Sequence, residues 1–390
     1  MNRDSKTLDC VELTRTLITY PSVTPNECGI YEVITQAFSH LPFECITQEK
    51  NGTKNLFLHT KDSQSGDSKP ACKPHICFAG HIDVVPAGEG WSENPFGGEV
   101  KNGRMFGRGS QDMKSGVSAF VCALKVFIEE NPKIIESCKI SILLTSDEEG
   151  DGEFGTCYML EHLENLNLLP TMAIVAEPTC EKVCGDTIKI GRRGSVNGKI
   201  TIFGKQGHAA YPQHCINPTE LLGARLGDLA GVDLDNGDES FEPSKLVITD
   251  IRGGMEVVNV TPDKLAIMFN VRNSPATKVE HIESYIKKVL NGLDFELSIK
   301  QTSQGFITQR DSALVTLMQE SIQAVCGITP ALSTSGGTSD ARFFGARGIP
   351  VVEIGVTNDR IHAIDECVPI EQIRQLQSIF ARFLINLKHR

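Results

Sequence analysis

A change of rhythm near residue 194, reversed near 305, constrains this 390-residue chain more than any other feature. Before it, helical spacing over 6–20 (with Asp4 or Ser5 as N-cap) and 27–41 gives way to short apolar runs. These are NLFLHT (55–60), HICFAG (75–80), KISILLTS (139–146) and MAIVAE (172–177), with a long helix expected over 114–130. Short apolar strands alternating with helices predict an α/β layer fold on a mainly parallel sheet. The polar segment 61–74 predicts an exposed loop. Between 194 and 305 the order becomes strand (195–205), helix (217–232), two strands (245–253 and 263–273), helix (277–293) and strand (294–300). That β-α-β-β-α-β succession is the ferredoxin-like split unit. The α/β rhythm then resumes with helices over 311–326 and 339–346, a strand over 349–355 and a closing helix over 369–388. The expected organisation is one α/β domain made of residues 1–193 and 306–390, interrupted by a ferredoxin-like domain at 194–305.

The bulk properties narrow the function classes. A formal charge of -11 argues against a nucleic-acid partner, because such proteins present a basic face. No apolar run reaches the length needed to cross a bilayer, so no membrane partner is expected. The opening residues MNRDSKTLDCVELTRTL carry charges where a signal peptide needs an apolar core, which predicts a cytoplasmic protein. Thirteen cysteines, odd in number and scattered, then read as reduced thiols. The close pair Cys180 and Cys184 has no second pair or nearby histidine to complete a zinc knuckle.

Acids and histidines gather where a parallel sheet would bind a ligand. His81 and Asp83 follow the strand HICFAG, and Glu148 and Glu149 follow KISILLTS. Glu177 ends MAIVAE, His362 lies past IPVVEIG, and Asp112 sits in the Gly-rich GRGSQDMKSG before the long helix. Crevices form beyond the carboxyl ends of parallel strands, so these groups can converge. Singly, each is explained by solvation; acidic or imidazole groups at four strand ends are not. Imidazole and carboxylate without thiolate suit Zn²⁺, Co²⁺ or Mn²⁺. An aspartate can bridge two dications, and a second carboxylate beside a ligand is free to act as a base. An aspartate two residues from a metal-bound histidine can accept its other N–H. His208, in GKQGHAAYP, reads alone as a histidine at a turn. Arg192 and Arg193, in KIGRRGS, read either as a solvated linker or as a planar fork for a carboxylate.

Nearly end to end, the chain resembles the zinc-dependent aminoacylase and carboxypeptidase family, peptidase family M20. GHIDVVPAGEGW, GRGSQDMKSG, SDEEGDGEFGT and VAEPT carry the resemblance to the wider family. GRRGS and SGGTSDARF point to the branch that hydrolyses N-succinyl-LL-2,6-diaminopimelate to succinate and LL-2,6-diaminopimelate, in lysine and cell-wall precursor synthesis. They point away from relatives acting on acetylornithine or on peptide C-termini. The resemblance implies a zinc-peptidase-like α/β/α catalytic domain and an inserted dimerisation domain. It implies two divalent ions, zinc first and cobalt as the alternative, with His81 and Glu177 on one, Glu149 and His362 on the other, and Asp112 bridging. Asp83 would orient His81, Glu148 would be the general base for a water activated by both ions, and the peptide bond after Asp112 would be cis. In a homodimer, His208 would reach the partner's site as an oxyanion donor. Arg192 and Arg272, with Tyr211, Asn259, Thr338 and Asn358, would contact the substrate; GGMEVVNVTPD matches the family's version only loosely around Asn259.

Overall fold

The computed structural model describes residues 8–61 and 73–389. Two compact units emerge: the chain up to Ile190 with Thr308–Ser333 and everything from Ser339, and a smaller unit of Gly191–Ile307 with Thr334–Thr338. The last segment clusters with the smaller unit for a local reason. Arg192 Nη1 donates to the Ser335 and Gly337 carbonyls (3.4 and 3.3 Å), and Thr334 donates to the Ser240 carbonyl.

The larger unit is built on an eight-stranded sheet. Its centre is Lys139–Thr145, His75–His81, Met172–Val175 and Val351–Glu353, all parallel to one another. Every residue of His75–His81 is buried, as expected of a strand covered on both faces. The expected parallel sheet is thus its core, while the flanks are mixed. Thr53–Thr60 runs antiparallel to Lys139–Thr145, and Phe43–Lys50 antiparallel to Thr53–Thr60. The Phe43–Lys50 strand was not expected, although its turn is legible: Asn51 and Gly52 both have positive φ (52° and 82°), as a two-residue hairpin requires. Thr187–Lys189 and Ala331–Ser333 complete the other edge.

The Ser115–Glu130 helix packs on Ile370–Lys388, and Phe78, Phe120, Phe380 and Phe383 interlock between sheet and helices. Phe78 meets Phe380 edge to face at 5.5 Å, a favoured aromatic arrangement. The first helix is Cys10–Ile18, shorter than the expected 6–20; Asp9 caps it, its carboxylate accepting from Val11 N and Glu12 N at 2.8 and 3.0 Å. Asp4, Ser5 and most of the 61–74 segment lie outside the described residues.

In the smaller unit, Ser195–Phe203, Lys245–Gly253, Lys264–Arg272 and Phe295–Ser303 form an antiparallel sheet. Taken in chain order, the four strands lie in the spatial order second, third, first, fourth. Val196, Ile200, Ile267 and Phe269 point from it toward Ile282, Ile286 and Leu290 on the Val279–Val289 helix side. The helix expected over 217–232 is broken: Pro218–Gly223 is helical, and a single 3₁₀ turn at Leu226–Asp228 follows. Gly223, Gly227 and Gly231 recur every four residues there, and glycine is a poor helix former.

One close approach fixes how the Ser115–Glu130 helix sits. A Cβ on Gly116 would lie 2.3 Å from the Ala176 carbonyl oxygen, and backbone cannot yield as a flexible side chain can. Gly116→Ala is therefore expected to lower unfolding free energy by about 1–3 kcal/mol, the usual cost of overpacking, despite alanine's better helix propensity. A denaturant midpoint at or above that of the parent would refute this.

Candidate metal centre

Parallel neighbours end on the same edge of a sheet, and that edge gathers the predicted acids and histidines. His81 is the last residue of its strand, Glu148 and Glu149 lie in the turn after Lys139–Thr145, and Glu177 comes two residues past Met172–Val175. His362 arrives from the loop after Val351–Glu353, in a left-handed conformation (φ 59°). Asp112 comes from the irregular turn before Ser115–Glu130, and the Asp112–Met113 peptide bond is cis.

The side chains converge. His81 Nε2 is 3.1 Å from Asp112 Oδ1, 3.8 Å from Glu177 Oε1 and 3.9 Å from Glu148 Oε2. His362 Nε2 is 2.9 Å from Glu149 Oε1 and 3.5 Å from Asp112 Oδ2. Asp112 therefore turns one oxygen to each histidine. Among the described residues, two sets have ligand atoms within 4.8 Å of one another: His81, Asp112 and Glu149, and His81, Glu148 and Glu177.

Orientation comes partly from the main chain. His81 Nδ1 lies 2.9 Å from the Asp83 carbonyl oxygen and 3.6 Å from its carboxylate. A proton on Nδ1 directed at that carbonyl leaves Nε2 turned toward Asp112. The Asp83 carboxylate has another task. It accepts from Thr24 Oγ1 at 2.7 Å, Glu149 N at 3.2 Å and Glu148 N at 3.4 Å, and so holds the Glu148–Glu149 turn. Thr24, in SVTP, carries no signal in the sequence that links it to this site.

Electrostatics set the demand. Four carboxylates face two imidazoles in a largely buried space. Burial, reinforced by neighbouring acids against the lowering effect of His81, pushes Glu148 well above the usual carboxyl range. Glu177 rises likewise, through burial and then Asp112 and Glu148. His362 is raised to about 10 by its hydrogen bonds to Asp112 and Glu149. For His81, burial favours the neutral ring, but Asp112 and the nearby glutamates overcome it and raise the ring well above its ordinary value. Asp112 falls below the usual range because the two histidines outweigh its burial. Glu177 Oε1 is buried with no hydrogen-bond partner, an arrangement that costs stability unless a cation meets it. Nitrogen and carboxylate donors around that oxygen fit a borderline dication.

Charged groups assigned no role from the sequence stand behind this layer, although Arg108 and Asp340 lie within the GRGSQDMKSG and SGGTSDARF stretches. Arg108 pairs with Glu366, Asp340 lies buried near Glu148, and Glu353 accepts from Ser339. Of the expected substrate contacts, only Asn358 belongs to this unit, its N–H bonded to the Cys180 carbonyl. The others lie in the smaller unit. His208 and Tyr211 are exposed with ring centroids 5.8 Å apart, and Ala209 N bonds the Asn259 carbonyl, so these three residues form one cluster. Arg192 is buried and supports the loop that ends at Thr338. Arg272 is exposed and lines a cavity with Arg193 and Lys245.

Comparison with known proteins places this geometry in a lineage. The model of peptidase family M20/M25/M40 matches residues 77–386. A succinyl-diaminopimelate desuccinylase from Helicobacter hepaticus is 55% identical over 380 residues, covering 96% of each chain. One from Helicobacter pylori is 51% identical over 387 residues, covering 97% of this chain and 99% of the relative. Among solved structures, Bacillus cereus aminopeptidase PepT superposes with a TM-score of 0.76 at 20% identity, covering 97% of this chain and 98% of that one. A dinuclear metal-binding peptidase of family M20 from Bacillus subtilis superposes at 0.70 and 15% identity, covering 97% and 98%. With the motif residues gathered at one sheet edge and matches of this extent, the chain belongs to peptidase family M20/M25/M40.

Proposed function

We propose that this protein is a two-metal amide hydrolase that cleaves N-succinyl-LL-2,6-diaminopimelate to succinate and LL-2,6-diaminopimelate. The observation carrying the chemistry is the Asp112 carboxylate, set with one oxygen toward each histidine of a cluster rich in buried negative charge. Support for the substrate comes from the relatives above, about half identical over nearly the whole chain and each named for that activity.

His81 and Glu177 would hold one ion, Glu149 and His362 the other, and Asp112 both; zinc suits the donor set, with cobalt as the alternative. Bound there, such ions supply a water of lowered pKa and polarise the amide carbonyl. The remaining work falls to the chain. Glu148, mostly buried beside His81, takes a proton from water at its carboxylate and returns it to the leaving amine. Asp83 keeps Glu148 in place through its main-chain N–H.

The smaller unit would pair with its copy in a homodimer. The Lys245–Gly253 strand is a sheet edge and exposes Val247, while Met268 on the same face of the neighbouring strand is 49% exposed, apolar surface that a second copy would cover. His208, exposed on this unit, would then donate to the developing oxyanion in the partner's site. Arg272 and Arg192, with Tyr211, Asn259, Thr338 and Asn358, would receive the substrate's carboxylates and amide. Synthesis of a small amino acid fits a cytoplasmic enzyme.

Three outcomes test this reading. Succinate release from the succinyl substrate should vanish with a strong chelator and return on adding zinc or cobalt; equal turnover of acetylornithine, or activity untouched by the chelator, would sink it. Glu148→Ala should keep both ions by metal analysis while losing roughly 10²–10⁴ in rate, and full activity would remove Glu148 as the base. Mixing Glu148→Ala with His208→Ala chains should restore activity in heterodimers, since each supplies what the other lacks. Verified heterodimers that stay inactive would show that the sites are not shared.

A further inference from the structure

Asp112 and His362 belong to loops far apart in sequence, and one buried ion pair ties those loops together. Glu366 is completely buried and its carboxylate accepts four hydrogen bonds. Oε2 receives Arg108 Nη1 at 2.8 Å and Gly109 N at 3.1 Å; Oε1 receives Gln111 N at 2.8 Å and Asp112 N at 3.2 Å. Arg108, itself buried, reaches the other way. Its Nη1 donates to the Ala363 carbonyl at 3.2 Å and its Nη2 to the His362 carbonyl at 3.3 Å. Gln111 adds a second tie, donating to Asp359 Oδ1 and accepting from Arg360 N, each at 2.8 Å.

The need for such a tie is uneven between the two histidines. His81 and Glu177 rise from paired neighbouring strands, whose ladder already fixes their spacing. His362 has no ladder. Its side chain is 48% exposed, and its left-handed backbone is a conformation that surrounding structure must impose. At this turn Arg108 holds the carbonyls of both His362 and Ala363.

We propose that Arg108 and Glu366 are positioning residues for the metal site of His362 and Glu149, joining the Asp112 main chain and the His362 backbone into one rigid element. This rests on the two-metal reading above. The pair is buried and acts by presetting ligands, so it governs chiefly the affinity of the His362 site, where it holds both Asp112 and His362, and reaches the site of His81 and Glu177 only through the shared Asp112.

Glu366→Gln tests this, because it keeps the volume but turns one acceptor oxygen into an NH₂ facing donors. Metal-free protein is titrated with Co²⁺, followed by visible absorption and calorimetry, with His362→Ala marking the step that belongs to its site. The expected result is a His362-site step weaker by about 10–100-fold, the range typical of losing a partner behind a metal ligand, with a distinctly smaller change in the step of the other site, which shares only Asp112. Gln111→Ala should weaken the same step, and decides the matter if Glu366→Gln loses its near-UV circular dichroism. Equal weakening of both steps, or an unchanged His362-site step in a folded variant, overturns the proposal. If the parent protein itself takes up fewer than two ions, the two-metal reading falls and the proposal with it.

Discussion

Asp112 presents one oxygen to His81 and the other to His362, and the site is organised around that shared carboxylate. It joins a histidine carried by the sheet to one carried by a loop. It also concentrates charge: with Glu148, Glu149 and Glu177 close by, the protein holds more buried negative charge than two imidazoles can balance. Buried like charges repel strongly where water is scarce, so such a cluster persists only by taking up protons or cations. The raised carboxyls of Glu148 and Glu177 and the raised rings of both histidines express that demand for positive charge.

The fold meets this demand by parallel pairing. Three central strands bring His81, the Glu148–Glu149 turn and Glu177 to one edge, where hydrogen-bond ladders set their spacing before any side chain is placed. The fourth, Val351–Glu353, pairs with Met172–Val175 although it comes from the far end of the chain. An insertion folding on its own antiparallel sheet separates these partners in sequence without separating them in space. Gly116 serves the same end, letting the helix after Asp112 touch the backbone just before Glu177.

Much of this was legible in the residues. HICFAG, KISILLTS and MAIVAE are continuous apolar runs of strand length, and the acids directly follow them. The split unit was legible because its strands alternate, one face toward a helix and one away. Two misses have plain causes. The Phe43–Lys50 strand, FECITQEK, is too polar to stand out until its partner covers one face, although Asn51-Gly52 announced a hairpin. The 217–232 helix looked continuous because its leucines are well spaced, while three glycines at four-residue intervals undid it.

By itself the sequence determined the residue types of the candidate site, their attachment to strand ends and the break between two folding patterns, since these follow from local periodicity and side-chain chemistry. Only the tertiary structure decided how the ligands are held. That His81 Nδ1 meets the Asp83 carbonyl while the Asp83 carboxylate accepts from Thr24 and the Glu148–Glu149 turn depends on main-chain positions with no sequence signature. That Arg108 meets Glu366, tying together loops separated by most of the chain, depends on long-range closure. Local patterns encode what a residue can do; which buried donor meets which acceptor is settled only when distant segments pack together.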